Sequence, residues 1–218
     1  MSIEYFENLR WRNRDSWLGF NHESALKMIS GGSILDLGCG DGTLLDFLKS
    51  RNIHARGLDI SQEAVNKCKL KGLDVEHFDF SDGKLPYEND SFDYVIMLDV
   101  LEHLYDPAKL LNEAKRVTKK FVILSVPNFS SLPARLQVVL GKVPENNRRG
   151  KGHVYWFNWD VLKKMLDGHN LDIVALKCRT FWQNKFAIGT LSRFLMRKLP
   201  NLFALTLVVK AVKKENQS

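Results

Sequence analysis

Four acidic residues and one run of glycines carry most of the chemistry open to this chain of 218 residues. The run reads Asp36-Leu37-Gly38-Cys39-Gly40-Asp41-Gly42; Asp59 follows in GLDIS, Asp79 in HFDF and Asp99 in VIMLDV. Glycines let the backbone turn sharply and pass close to a ligand. A dinucleotide-phosphate turn reads GxGxxG, but here Thr43 stands where the third dinucleotide glycine would fall. Asp36 precedes the first glycine by two places, so its carboxylate would repel a pyrophosphate and would suit a ligand with a cationic amino group. Asp59 lies close to the ~20-residue offset at which an acidic side chain meets a ribose. Beside it Ile60 can cover one face of an adenine, whose amino group Asp79 can accept from, with the Phe80 amide next to it. Each acid alone reads equally as a helix cap or turn residue, as Asp59 does before Ser61-Gln62-Glu63. Acids at successive strand ends beside a glycine turn are harder to assign to capping.

The elements that must hold these residues follow a regular rhythm. Strands are expected at 33–37, 53–58, 75–78, 92–98 and 121–126, with helices after the glycine turn, after Ser61 and from Pro107 to Val117. A further helix is expected over His22 to Ile29, closed by Gly31 and Gly32. Strands alternating with helices predict an α/β, doubly wound, mostly parallel sheet with helices on both faces. Ligands then bind outside the carboxyl ends of the strands, where the strand order reverses. Beyond Asn128 the pattern loosens: a helix around Pro133 to Leu140, a polar loop over Gly141 to Gly152, the aromatic run Tyr155, Trp156, Phe157 and Trp159, a helix to Leu166, and strands at 171–178 and 202–212. The opening segment carries Trp11, Trp17 and Phe20 and reads as a helical lid over residues 1–30, closing on the ligand or covering a sheet edge.

Composition narrows the class. Hydrophobic residues make up 44% of the chain and charged residues 26%, as in ordinary globular proteins. The apolar run Leu202 to Val209 is too short to span a bilayer. The N-terminus carries charges where an export signal needs an apolar stretch. The three cysteines, Cys39, Cys68 and Cys178, form no CxxC pair, which points away from a zinc site or disulfide framework and toward a cytoplasmic setting. A net charge of +7 raises nucleic-acid binding. The basic residues are dispersed, however, and read first as solvated surface.

ILDLGCGDG, GLDIS, HFDF and FDYVIMLDVLEHLYDP together resemble the ordered motifs of class I S-adenosylmethionine-dependent methyltransferases, strongly over residues 30 to 130. Within them the chain is similar to the methionine biosynthesis protein MetW group, through Ser125-Val126-Pro127-Asn128-Phe129, Arg135-Leu136-Gln137 and His153 ahead of an aromatic cluster. The resemblance implies a Rossmann-like sheet of seven strands with the last antiparallel, formed by a single domain over 1–218 with acceptor-side insertions at 129–168 and 180–200. It implies that Asp36, Gly38, Cys39, Gly40 and Gly42 meet the methionine part of S-adenosylmethionine, Asp59 and Ile60 the ribose and adenine, Asp79 and Phe80 the adenine, and Leu98 and Asp99 the region of the reacting methyl. S-adenosylhomocysteine would be the product.

Methyl transfer from a sulfonium needs alignment and exclusion of water more than a fixed catalytic set. His103, after the fourth strand, either faces the acceptor as a catalytic residue or packs within its loop. His153, Tyr155 and Trp156 are candidates for acceptor binding or ordinary loop residues. An amino-methyltransferase of nucleic acids would carry an Asn/Asp-Pro-Pro-aromatic segment where this chain has Leu98-Asp99-Val100-Leu101. No cysteine lies in the Pro-Cys setting of a cytosine-C5 enzyme. A small-molecule acceptor is therefore expected. The rival is a non-catalytic or weakly catalytic S-adenosylmethionine-binding partner of an acyltransferase, as MetW resemblance implies, or a homodimer, with Phe181, Trp182, Phe186 and Leu195 as an exposed apolar patch.

Overall fold

The computed structural model describes residues 2–12, 14, 17–80, 84–148, 151–180, 195–196 and 198–214. Strands β1 (Ile34–Leu37), β2 (Ala55–Asp59), β3 (Val75–His77), β4 (Phe92–Leu98), β5 (Thr118–Pro127), β6 (Leu171–Arg179) and β7 (Thr206–Lys213) form one sheet. Their order is β3-β2-β1-β4-β5-β7-β6, and β7 alone runs antiparallel to its neighbours. The seven-stranded, mostly parallel architecture expected from the motifs is thus present. The order reverses between β1 and β4, which pair in parallel through Ile34 and Tyr94. A crevice opens outside their carboxyl ends, as such a reversal dictates.

Alternation along the strands feeds two cores. Leu35, Leu37, Val95, Met97, Val122 and Leu124 pack against α5 (Pro107–Val117) and α7 (Trp159–Gly168). Ile34, Tyr94, Ile96 and Ile123 pack on the other face against α2 (Phe20–Leu26) and α3 (Thr43–Ser50). Both faces are covered, so the strands read as near-continuous apolar runs. Helix α4 (Gln62–Leu70) begins where the Ser61 hydroxyl accepts from the Ala64 amide at 3.2 Å. Further α-helices among the described residues include α1 (Ile3–Arg12), α6 (Leu132–Val139) and α8 (Pro200–Phe203).

Of the boundaries that differ from the sequence reading, three have a visible cause. Helix α2 starts at Phe20 rather than His22, because His22 is its third residue and its Nδ1 accepts from the Gly19 amide at 3.3 Å. Strand β5 starts at Thr118 rather than Phe121; Thr118 pairs with Phe92 across a register shift, and its hydroxyl donates to the Phe121 carbonyl at 3.0 Å. The apolar stretch from Leu202 is first helical and becomes β7 only at Thr206. Asn128 is the cause. It is fully buried, and its Nδ2 donates to the carbonyls of Pro200, Asn201 and Ala204 at 3.3, 3.0 and 2.7 Å. Those carbonyls sit at the end of a short helix, where the Pro200 carbonyl also accepts from the Ala204 amide at 3.0 Å and the Ala204 carbonyl has passed the last intrahelical donor. Of the expected apolar patch, Phe181, Trp182 and Phe186 lie outside the described residues, and Leu195 is half-buried.

Asn128→Ala strips the Ala204 carbonyl of a buried donor and removes two part-buried bonds beside it. A loss of about 1–3 kcal/mol is expected, read as a lower urea midpoint with an unchanged slope.

Candidate functional site

The crevice forms a cleft of about 320 Å³ over the carboxyl ends of β1, β2 and β4, roofed by α1. Asp36, Gly38, Cys39, Gly40, Asp59, Ile60, Asp79, Phe80, Leu98, Asp99 and His103 all line it. Gly42 lies behind the turn, facing Leu73 and Cys68. His153 is set back from the cleft, its ring 5.0 Å from that of His103. Tyr155 packs on Phe157 at 4.8 Å in the main core. Trp156 is exposed and stacks on Phe129. Neither aromatic lines the cleft.

Asp59 is buried, and its two oxygens are already engaged: Oδ2 accepts from the Gly40 amide and Oδ1 from the Ser61 amide, each at 2.8 Å. The side chain therefore ties the glycine turn after β1 to the start of α4. Burial nevertheless holds its pKa up at about 6, the two amides only partly offsetting the desolvation. The turn itself admits no side chain. Gly38 and Gly40 have φ of +72° and +56°, and a Cβ would meet Val100 and the Trp11 ring respectively at 2.5 Å.

Asp36 is the electrostatic anomaly. Burial comes first and the neighbouring Asp59 charge second; both push its pKa up, to about 8. A carboxylate that is buried without a compensating donor is costly. A cation placed in the cleft would remove that cost.

Asp99 ends β4 in the left-handed region, at φ +56°, which is uncommon for a residue with a side chain. Its amide donates to the Ser125 carbonyl and hydroxyl, Ser125 Oγ donates back to Asp99 Oδ1 at 2.7 Å, and Asn21 Nδ2 donates to Oδ2 at 2.7 Å. Such enforced conformations concentrate at functional sites. Asn21 carried no signal in the sequence, and Ser125 stood out only within the segment Ser125 to Phe129, with nothing to mark its contact with Asp99.

The roof was legible only as a possibility. Helix α1 contributes Ile3, Glu7, Arg10 and Trp11 to the lining. It is anchored by Asn8, whose Oδ1 accepts from the Ser61 hydroxyl at 2.8 Å and from the Glu63 amide at 3.2 Å. Arg12 pairs with Glu63 at 3.2 Å and His77 with Glu4 at 3.3 Å. Arg14 and Arg179 also reach the lining. No residue in this set has a spacing that marks it.

The raised pKa of Asp36 has a signed consequence. The folded state holds this proton more tightly than the unfolded chain, so the wild type loses stability as pH rises from the ordinary carboxylate value toward about 8. Asp36→Asn removes that loss. Its advantage in Tm over the wild type should widen between pH 4 and pH 8 to several degrees and then level off. A gap that stays constant over this range would show that Asp36 is ionised throughout.

The chain resembles known proteins in both sequence and fold. The profile of "Methionine biosynthesis protein MetW" matches residues 20–165. A protein of Rhodopirellula baltica, described as bifunctional methionine biosynthesis protein MetXA/MetW, is 35% identical over 126 residues, 53% of this chain and 20% of that protein. Ubiquinone biosynthesis O-methyltransferase of Hahella chejuensis is 30% identical over 133 residues, 54% of this chain and 56% of that enzyme. The match thus spans from about a fifth to little over half of these relatives' own lengths. Magnesium protoporphyrin IX methyltransferase from Synechocystis PCC 6803, solved with bound SAH, superposes with a TM-score of 0.70 at 17% identity, over 97% of this chain and 98% of that one. That likeness shows the class I S-adenosylmethionine-dependent methyltransferase fold. With two thirds of its length matched by the family profile, this chain belongs to the MetW family.

Proposed function

We propose that the cleft binds S-adenosylmethionine and that the protein transfers its methyl group to a small-molecule acceptor. The observation that carries this reading is Asp36, a buried carboxylate with no offsetting charge, facing a turn whose glycines leave no room for a Cβ. A ligand with an ammonium group and a compact chain fits both. The residues present fit the rest of the cofactor too. Asp59 keeps one lone pair on each oxygen for ribose hydroxyls after serving its two amides. Ile60, Asp79 and Phe80 line the part of the cleft where an adenine would lie. Leu98 and Asp99 flank the methyl end, and His103 faces the same space.

Bound S-adenosylmethionine would supply a methyl carbon activated by the adjacent sulfonium. The chain's share is then to hold, orient and exclude. Asp36 fixes the amino group, the α1 roof with Trp11 limits access of water, and the locked Asp99 sets the boundary against which the methyl end rests. His103 is placed to contact the acceptor. His153 stands behind it, and the segments 129–168 and 180–200 supply the acceptor side, with residues 181–194 and 197 outside the described set. A cleft of about 320 Å³ suits small molecules. Among the described residues no helix is long and apolar enough to cross a membrane.

A second reading has its own support: a subunit that binds the cofactor and serves an acyltransferase of methionine biosynthesis. The family profile favours it, as does the Rhodopirellula protein that joins MetXA and MetW by name. Helix α6 and the turn after it expose Leu136, Val138, Val139, Leu140 and Val143, an apolar face suited to a protein partner or a second copy.

Titration calorimetry with S-adenosylmethionine and S-adenosylhomocysteine at pH 8 tests the shared premise. Wild type should bind both. Asp36→Asn should bind roughly 10- to 100-fold more weakly, the value of a charged hydrogen bond, while remaining folded. Absence of binding to folded wild type would sink both readings. Binding without methyl release across an acceptor screen would favour the subunit.

A further inference from the structure

Behind the methyl end of the cleft lies a second cluster whose chemistry cofactor binding does not use. Glu102 is 1% exposed, yet neither oxygen of its carboxylate has a hydrogen-bond partner among the described residues. Buried polar atoms left in this state are rare in native structures and call for an explanation. His153 Nε2 lies 3.9 Å from Glu102 Oε1, and its side chain is 10% exposed. One ligating atom from each of Glu102, His103 and His153 lies within 4.8 Å of the others.

The two loops that bring these residues together are tied to each other by backbone. The Glu102 carbonyl accepts from the amides of Val154 and Tyr155 at 2.8 and 3.0 Å. His103 Nδ1 lies 3.1 Å from the Gly152 carbonyl, to which it donates, so Nε2 carries the lone pair, which the Arg10 guanidinium now faces at 3.5 Å. A backbone bond at Asn146 similarly engages His153. Imidazoles that ligate metals are held by an outer partner on the second nitrogen. Ligands of a cation at about 2.0–2.2 Å sit roughly 3 to 3.5 Å apart, so a contraction of up to about 1.5 Å would close the set.

We infer that Glu102, His103 and His153 form a binding site for a divalent first-row transition cation. Two imidazoles with one carboxylate favour that class over magnesium, which prefers oxygen ligands. Three protein ligands leave open positions, and because His103 also lines the cleft those positions face it. An acceptor oxygen could occupy one; this extension, and only this, rests on the methyl-transfer reading. Arg10 is the present source of positive charge: its Nη1 lies 3.5 Å from His103 Nε2, while its other contact is Glu7 at 3.3 Å. A cation would displace it toward Glu7.

The test reads the metal directly and needs no turnover. Chelator-stripped protein is titrated with Co²⁺, following ligand-field absorption and, by calorimetry, stoichiometry. One ion per chain is expected. Glu102→Gln and His153→Ala should each weaken binding at least tenfold, with folding checked by circular dichroism, while Arg10→Ala should bind as tightly or more tightly. Affinity unchanged in the double variant His103→Ala/His153→Ala would overturn the proposal, as would no stoichiometric binding by wild type, leaving Glu102 as a buried neutral acid. Preference for Mg²⁺ would overturn the assigned class. S-adenosylhomocysteine binding by the same samples separates failure of this site from failure of the cofactor cleft.

Discussion

Everything at the carboxyl edge of this sheet hangs on one buried carboxylate that accepts two backbone amides. Asp59 reaches from the end of β2 to Gly40 on one side and Ser61 on the other. These amides belong to the turns that open α3 and α4, and without a common acceptor the turns would be set only by their own sequences. With it, the floor of the cleft becomes a single rigid piece. The same contact raises the difficulty of keeping Asp36 ionised a short distance away. Asp59 thus gives the floor its rigidity and adds, after burial, to the electrostatic tension at Asp36.

A second tie governs the far wall. Asp99 is forced into an uncommon backbone conformation and held there by Ser125 from β5 and Asn21 from α2. The wall is thus built from three segments far apart in sequence. The Glu102 carbonyl extends it by pinning the 152–155 stretch. Each wall joint is a hydrogen bond with little freedom of geometry, and none depends on apolar packing alone.

Much of the fold was readable because its signals are local and repeated. The glycine turn, the Ser61 cap and the Pro107 start each act through a few neighbouring residues, and the near-continuous apolar runs follow from a sheet covered on both faces. The acids at the strand ends were readable for the same reason. What escaped reading depends on distant partners. Asn128 reshapes 200–205 from more than seventy residues away, converting an apolar stretch that looks like strand into a helical turn. Asn21, Ser125 and Asn8 matter only once the chain has folded. Tyr155 and Trp156 stood out by type, but their neighbours in space turn them to the core and to Phe129 instead of the cleft. Nothing in the residues around Glu102 registers its burial, which comes from the packed 152–155 stretch.

The roof has a kinetic meaning. Ser61 spends its oxygen on the Ala64 amide and its hydroxyl proton on Asn8, so the residue that starts α4 also latches α1. Swinging α1 aside breaks the latch and frees the Glu63 amide, but leaves the Ser61 to Ala64 cap in place. Opening is then a local event, separable from the stability of the sheet. An occupant beneath Trp11 would meet this latch on entry and departure alike, while the floor it rested on is held separately by the Asp59 ties.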